Sequence, residues 1–290
     1  MIDLQKLETA ITLFKSGTSI SEIAKIVNRS NQTVVRWLRN SGNKERKSRT
    51  WVNSEYFDNI DSEEKAYLLG FFIADGCIRT EKDYRYENIK SIRLCLSNSI
   101  DDEEIIKHFH NSICPNNVLQ YTHNIKGAKN RKPQICIQWT SNHMVKTLME
   151  KYKILPMKTY DSDFEFPFET IPEELHRHFV RGFLDGDGCI RSDGIDFIFT
   201  SKKFMFQIMK IFENVFQKEV NLPDSDKFHY KYNECIGKTT NYYKCFIAKG
   251  FKKQQILRDF LYKNTTIYLD RKFKKIQQWK IRKMGRPKGS

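Results

Sequence analysis

Residues 70–79 of this chain read GFFIADGCIR, and residues 182–191 read GFLDGDGCIR. Seven of the ten positions are identical, although the two stretches begin 112 residues apart. A self-match at such a spacing is typical of a duplicated structural unit. The sequence therefore predicts two copies of one module, each about 100 residues long.

Each stretch lies at the end of an apolar segment with the pattern of a buried helix. Small residues recur four positions apart on one face of each helix: Gly70 and Ala74 in the first, Gly182 and Gly186 in the second. Because this spacing lets two helix backbones touch, we expect the two copies to pack together along these helices. Gly76 and Gly188 are expected to end the helices in left-handed caps.

Two aspartates in these helices are placed unfavourably for stability alone. Asp75 and Asp187 fall in the last turn, where a carboxylate meets the negative end of the helix dipole. Packing the helices side by side also brings two like charges together. A divalent cation between the carboxylates would offset both effects, and oxygen ligands favour Mg²⁺ over zinc.

The windows 68–76 (LLGFFIADG) and 180–188 (VRGFLDGDG) resemble the motif of the LAGLIDADG homing endonucleases, in the form with two motifs in one chain. Both windows keep the glycine, the small residue, the acid and the final glycine of that motif. Ile73 stands where the motif has an additional acid. That position precedes the metal-binding one, so its counterpart Asp185 is not a catalytic candidate.

The resemblance implies an α+β fold in which two pseudo-symmetric αββαββα repeats form a saddle on DNA. It implies a site-specific double-strand DNA endonuclease that holds Mg²⁺, with Mn²⁺ as a substitute, on Asp75 and Asp187. The cut is expected to leave 3′ overhangs of about four nucleotides. As in relatives, the backbone carbonyls of Ala74 and Gly186 would also bind the metal, and Lys249, near the end of the last predicted strand, would lie near the attacking water.

The pattern after each motif fits the same plan. Strands are predicted over 91–96, 134–139, 195–200 and 242–247, and helices over 101–113, 142–152, 203–216 and 251–262. In that plan, exposed strand residues reach base edges and phosphates in the major groove. The candidate contacts are basic residues of the two repeats: Arg79, Arg85, Arg93, Arg191, Lys231 and Lys244.

Residues 19–39 (SISEIAKIVNRSNQTVVRWLR) predict two short helices around a polar break at 28–30, and residues 4–15 predict a helix before them. The pattern resembles the helix-turn-helix of resolvases and transposases, which implies that its second helix enters the major groove. Its implied contacts are to bases through Asn31, Gln32, Thr33 and Arg36, and to phosphates through Arg29 and Arg39. A three-helix protein-interaction domain is the alternative.

The net charge of +15 is concentrated at the two ends of the chain. Residues 1–50 contribute +6 and residues 271–290 contribute +9, which leaves the middle neutral. Basic ends of this kind favour nucleic acid as the partner. Around Arg286, the sequence GRPKG resembles a minor-groove AT-hook. The predicted organisation is a helix-turn-helix domain (1–42), a linker (43–60), repeat 1 (61–160), repeat 2 (161–270) and a basic tail (271–290).

Double-stranded DNA is the expected partner, and two alternative functions fit the same fold. One is a DNA-binding transcriptional regulator that has lost cleavage, and the other is a maturase that binds its own intron RNA. Because one chain supplies both aspartates, we expect a monomer. Seven cysteines without CxxC spacing predict reduced thiols rather than a zinc site.

The location is predicted from two further features of the sequence. No apolar run is long enough to cross a membrane, and acids interrupt the first eight residues, MIDLQKLE. We therefore expect neither a membrane anchor nor secretion. The expected location is the cytoplasm or nucleoid of a bacterium or phage-infected cell, with an organelle as the alternative.

Overall fold

The structure is a computed structural model of the chain, and it describes residues 4–16, 18, 20–42, 51–82, 89–122, 132–218, 230–237, 241–247 and 250–279. The chain divides into two compact units, residues 1–50 and residues 51–290. None of the helices in the described ranges has the length and apolar character needed to cross a membrane.

The first unit contains three helices, α1 (Leu4–Lys15), α2 (Ile20–Ile26) and α3 (Asn31–Asn40). Between α2 and α3 the chain turns at Asn28, which has a left-handed φ of 49°. Ser30 caps α3, because its side chain accepts a hydrogen bond from the backbone N–H of Thr33 at 3.2 Å. Apolar side chains from all three helices form a separate small core: Ala10, Ile23, Ala24, Val27, Val34, Trp37 and Leu38.

The second unit contains two consecutive sets of elements in the same order. The first set is α4 (Glu63–Asp75), β1 (Gly76–Lys82), β2 (Ile89–Ser99), α5 (Glu103–Ile113), β3 (Gln120–Thr122), β4 (Gln134–Trp139) and α6 (Asn142–Lys146), which continues as a π-helical turn over Thr147–Lys151. The second set is α7 (His176–Asp187), β5 (Cys189–Ile190), β6 (Ile195–Phe199), α8 (Lys202–Gln217), β7 (Tyr230–Cys235), β8 (Tyr242–Ile247) and α9 (Phe251–Tyr262). One further helix, α10 (Asp270–Gln277), follows.

Each set forms one antiparallel four-stranded sheet, and the two sheets have equivalent strand orders, β1-β2-β4-β3 and β5-β6-β8-β7. On β4 the burial alternates, so that Ile135, Ile137 and Trp139 are buried while the residues between them are partly exposed. This alternation is typical of a sheet with one covered face. A single continuous apolar core spans both sets.

The glycines that end α4 and α7 differ from the left-handed caps predicted for them. Gly76 has φ −75° and ψ 156°, and Gly188 has φ −81° and ψ 168°, so both are extended. The prediction was wrong because the chain passes directly from each helix into or towards a strand. A side chain is excluded here by packing, since an added Cβ would lie 2.2 Å from the Phe72 ring at Gly76 and 2.3 Å from the Leu184 side chain at Gly188.

Two predicted boundaries also differ from the structure. Residues 51–60 of the predicted linker 43–60 belong to the second unit, where Phe57 is fully buried and its carbonyl accepts a hydrogen bond from the Tyr152 hydroxyl. Residues 43–50 lie outside the described residues. In the predicted basic tail 271–290, residues up to 277 continue α10, whose Ile276 is fully buried. Apolar contacts therefore hold this stretch against the second unit despite its positive charge.

Candidate functional site

The site is built on α4 and α7, which pack against each other through small residues. An added Cβ on Gly70 would lie 2.0 Å from the carbonyl oxygen of Phe179, and one on Gly182 would lie 2.0 Å from that of Tyr67. No side chain fits at those distances, so glycine permits the contact. Further along, an added Cβ on Gly186 would lie 2.2 Å from the Cβ of Ala74. The structure thus places all four predicted small residues between the two helices.

Asp75 and Asp187 are the last residues of α4 and α7. Desolvation, followed by the neighbouring charge of Asp187, raises the pKa of Asp75 from 3.8 to about 7. Burial also raises the pKa of Asp187, while the charges of Lys158 and Lys272 lower it. The Asn98 amide donates a 2.9 Å hydrogen bond to Oδ2 of Asp75. The charge of one predicted acid therefore acts on the other, as expected for two helix ends that lie side by side.

Two lysines that the sequence did not indicate cap the ends of these helices. Nζ of Lys158 donates to the carbonyl oxygens of Gly76 at 2.7 Å and Ala74 at 3.3 Å. Nζ of Lys272 lies 2.6 to 3.2 Å from four carbonyl oxygens at the end of α7: those of Leu184, Asp185, Gly186 and Gly188. A cation at a helix C-terminus interacts favourably with the helix dipole.

Desolvation of the two ammonium groups costs free energy and disfavours their charged forms. Burial lowers the pKa of Lys158, and it lowers the pKa of Lys272 to about 8. The only sequence signal for them is a similar spacing, since Lys158 follows Asp75 by 83 residues and Lys272 follows Asp187 by 85.

The two lysines contact both backbone carbonyls that were predicted as metal ligands. The carbonyl oxygens of Ala74 and Gly186, which were expected to bind metal, accept hydrogen bonds from Lys158 and Lys272. Each carbonyl oxygen has two lone pairs, so a hydrogen bond to lysine leaves one lone pair for a metal. The other oxygen ligands available at the site are the two carboxylates.

The described part of the chain contains no cluster of three or more His, Cys, Asp or Glu residues suited to a metal. All seven cysteines are free thiols. Two carboxylates with backbone carbonyls form a hard oxygen donor set, which fits Mg²⁺ or Mn²⁺ completed by water and phosphate oxygens. A thiolate or imidazole zinc site does not fit this pair of helix ends.

A cavity of about 340 Å³ opens beside Asp187. It is lined by Ala74, Lys158, Thr159, Asp187, Ile198, Phe199, Thr200 and Tyr242. The Thr200 hydroxyl is buried at this cavity and has no hydrogen-bond partner among the described residues. The Asp187 carboxylate therefore borders a cavity in which the Thr200 hydroxyl is available for a hydrogen bond. The Asp75 carboxylate already accepts a hydrogen bond from Asn98.

The exposed face of the first sheet carries two of the predicted DNA contacts. Arg79 on β1 is directly opposite Arg93 on β2, and both are exposed while their neighbours Ile78 and Leu94 are buried. Two cations on one exposed sheet face create a local positive potential that attracts anions. Arg85, Lys249 and Arg286 lie outside the described residues.

On the second sheet, two of the predicted DNA contacts are paired with an acid. Asp196 is 3% exposed, and its Oδ2 lies 3.2 Å from Nη1 of Arg191 and 3.3 Å from Nζ of Lys244. The Arg191 guanidinium also lies over the Phe246 ring, 5.3 Å from its centroid. Lys231 on β7 is exposed. Arg191 and Lys244 are thus held in place within the protein.

In the first unit, the predicted DNA contacts lie at and near the start of α3 and along it. Arg29, Asn31, Gln32, Arg36 and Arg39 are exposed, and Thr33 is half-buried. The Thr33 hydroxyl lies 2.9 Å from the Ser30 hydroxyl that caps the helix. Thr33 is therefore partly committed to the helix cap.

No protein-family model matches the chain. A search of curated proteins finds no match either. Among solved structures, the chain is similar to I-DmoI in complex with DNA and Mn, with 11% identity and a TM-score of 0.46 over 71% of this chain and 98% of that one. It is similar to the homing endonuclease I-WcaI bound to its DNA recognition sequence, with 15% identity and a TM-score of 0.41 over 76% and 90% of the two chains.

A further similar structure is the meganuclease I-SmaMI bound to uncleaveable DNA, with 12% identity and a TM-score of 0.44 over 75% of this chain and 90% of that one. The chain is similar to solved homing endonucleases. The site itself consists of two carboxylates at adjoining helix ends, two buried ammonium groups, and arginines on a sheet face.

Proposed function

We propose that this chain is a site-specific double-strand DNA endonuclease. The observation that carries the proposal is the pair of carboxylates at the adjoining ends of α4 and α7, the half-buried Asp75 and the more exposed Asp187, both with a raised pKa. Without a cation, their ionisation opposes folding, because desolvation raises the pKa of both carboxyl groups and the charge of Asp187 also raises that of Asp75. The resemblance of both motif windows to LAGLIDADG enzymes supports the same conclusion.

Asp75 and Asp187 would hold Mg²⁺, or Mn²⁺ in its place. When bound, a divalent cation lowers the pKa of water and neutralises charge on the phosphate and the leaving oxygen. Asn98 fixes the Asp75 carboxylate through its 2.9 Å hydrogen bond. The carboxylates must be ionised to bind metal, and the pKa of Asp75 near 7 predicts activity that rises with pH through the neutral range.

Lys158 and Lys272 would supply positive charge beside the scissile phosphates. Each ammonium group is anchored by carbonyl oxygens at a helix end, so it stays in place without DNA. A preorganised cation in a buried site stabilises developing negative charge more strongly than a solvated one. Lys249, as the sequence resemblance implies, would lie near the attacking water.

The remaining parts of the chain would bind DNA. The exposed arginine pair on the first sheet and the basic residues of the second sheet would contact DNA in the major groove. The three helices of residues 1–42 would act as a helix-turn-helix domain that lengthens the contact. The protein would act as a monomer and leave 3′ overhangs of about four nucleotides.

The test is to incubate the purified chain with DNA of the uninterrupted locus from its source, in Mg²⁺ or in EDTA, and to sequence every new end. The double variant Asp75→Asn/Asp187→Asn is the matched control. One dominant double-strand break that is lost in EDTA and in the variant supports the proposal. Tight DNA binding without a break would favour a regulator, and tight binding only to intron RNA would favour a maturase.

A further inference from the structure

A buried cluster of charges connects α4 and α7 to the segment that precedes α10. Its centre is Arg181, which is fully buried. Arg181 donates from Nη2 to Oε1 of Glu63 at 2.7 Å, and from Nε to the carbonyl oxygen of Ile267 at 3.0 Å. One residue from α4 and one from α7 thus contact the same segment.

The two carboxylates of the cluster bind the backbone of that segment. Oε1 of Glu63 accepts hydrogen bonds from the backbone N–H groups of Thr266 at 2.8 Å and Ile267 at 3.3 Å. Asp185, which is fully buried, accepts from the backbone N–H of Leu269 at 2.8 Å. Hydrogen bonds to charged groups are shorter and stronger than neutral ones, so residues 266–269 are firmly held.

The held segment leads directly to Lys272. Leu269 is the N-terminal cap of α10, and the backbone N–H of Lys272 donates to its carbonyl oxygen at 2.9 Å. Lys272 therefore lies in the first turn of α10, and its ammonium group reaches the end of α7 from there. Two tyrosine hydroxyls, from Tyr67 at 2.9 Å and Tyr262 at 2.7 Å, fix the Asp185 carboxylate itself.

Among the described residues of the first copy, the positions that correspond to Arg181 and Asp185 carry no charge. At the 112-residue spacing of the repeat, Leu69 and Ile73 correspond to Arg181 and Asp185, and both are fully buried apolar residues. Lys158 is preceded instead by Met157 in a left-handed conformation, with φ 58°. Because buried ion pairs add little stability compared with apolar packing, a stabilising role does not account for the charges in the second copy.

We propose that Glu63, Arg181 and Asp185 are positioning residues for Lys272, and that they control cleavage of one DNA strand more than the other. The inference rests on the proposed endonuclease function. Lys272 depends on the charged cluster for its position, whereas Lys158 does not contact it. Loss of the cluster therefore impairs one half of the active site and leaves the other half working.

The test uses a duplex that carries the mapped site, with a different label on each strand, under single-turnover conditions in Mg²⁺. The variants Asp185→Asn and Glu63→Gln are compared with Lys272→Met and with Lys158→Met. Both positioning variants should slow the strand that Lys272→Met slows, by about tenfold or more, and leave the other strand nearly unchanged. Nicked DNA then accumulates.

The matched control is Glu64→Gln, one position further along α4. Glu64 accepts hydrogen bonds from Tyr56 and Ser112, and the described segment before α10 donates none to it. This variant should cut both strands at the wild-type ratio. The double variant Asp185→Asn/Lys272→Met should be no slower than Lys272→Met alone, because both changes remove the same contribution.

Equal slowing of both strands by Asp185→Asn and Glu63→Gln would overturn the inference, because a loss of folded protein affects both strands alike. If Asp185→Asn fails to fold, Tyr262→Phe removes one hydrogen bond to the same carboxylate and should give a smaller effect on the same strand. A wild-type protein that cuts neither strand would overturn the proposed function together with this inference. Wild-type cutting with equal slowing in the variants overturns the inference alone.

Discussion

Replacing Asp75 with asparagine should stabilise the protein while abolishing its activity. The carboxyl group of Asp75 is half-buried, and desolvation together with the charge of Asp187 raises its pKa from 3.8 to about 7. A group with a raised pKa favours folding when protonated, so the penalty from Asp75 grows as the pH rises from about 4 to about 7 and is constant above that. Asparagine has no charge at any of these pH values and avoids the penalty.

The shift sets the magnitude of the effect. A rise in pKa from 3.8 to about 7 corresponds to about 4 kcal/mol of unfolding free energy in the absence of metal. At about pH 8.5 the Asp75→Asn variant should exceed the wild type by up to that amount, and at about pH 5 the difference should shrink to roughly 1 to 2 kcal/mol. Mg²⁺ should stabilise the wild type and narrow the gap, because it binds the folded carboxylates.

The assay is urea unfolding followed by tryptophan fluorescence, at both pH values, with EDTA or Mg²⁺. The control is Glu174→Gln, which removes a carboxylate from the exposed segment before α7 and should change the unfolding free energy by less than about 0.5 kcal/mol. A wild type that matches Asp75→Asn in EDTA at the higher pH would refute the reasoning. So would an equal gain in stability from Mg²⁺ in both proteins.

Three other substitutions test the packing and the DNA-facing charges. Gly182→Ala places a Cβ 2.0 Å from a backbone oxygen of α4 and should lower the unfolding free energy by about 3 kcal/mol or more, measured by urea unfolding; a loss below about 0.5 kcal/mol contradicts the helix contact. Arg271→Gln leaves the buried Asp102 without its bidentate partner and should lower the unfolding free energy by about 3 kcal/mol. An unchanged urea midpoint would contradict this expected loss of stability. Asp196→Asn removes the acid that Arg191 and Lys244 share. It should tighten DNA binding at low salt and steepen its salt dependence by about one unit or more in a fluorescence titration; an unchanged slope counts against it.

Local patterns in the sequence were sufficient to predict much of the fold and to single out Asp75 and Asp187. The strands predicted over 134–139 and 242–247 and the helix over 251–262 have the same bounds in the structure. Their alternation or periodicity is complete within a few residues, so no distant contact is needed to recognise them. Asp75 and Asp187 could be singled out because the duplication marks both and because helix ends disfavour carboxylates.

The rest of the site depends on contacts between residues far apart in the chain. Lys158 and Lys272 reach the helix ends from segments more than 80 residues later, and neither lies in a motif. Asn98 contacts Asp75 only because β2 runs back past the end of α4. Positive charge alone also misled the interpretation of residues 271–277, since burial of Ile276 is visible only once α10 packs on the second unit.

The most direct test of the account is the crystal structure of the wild-type chain with its mapped DNA site and Mn²⁺, with Mn²⁺ located by anomalous scattering. The account predicts Mn²⁺ about 2 Å from carboxylate oxygens of both Asp75 and Asp187, with a DNA phosphate completing its coordination. Mn²⁺ bound elsewhere in the complex, or DNA bound with both carboxylates away from any phosphate, would contradict it.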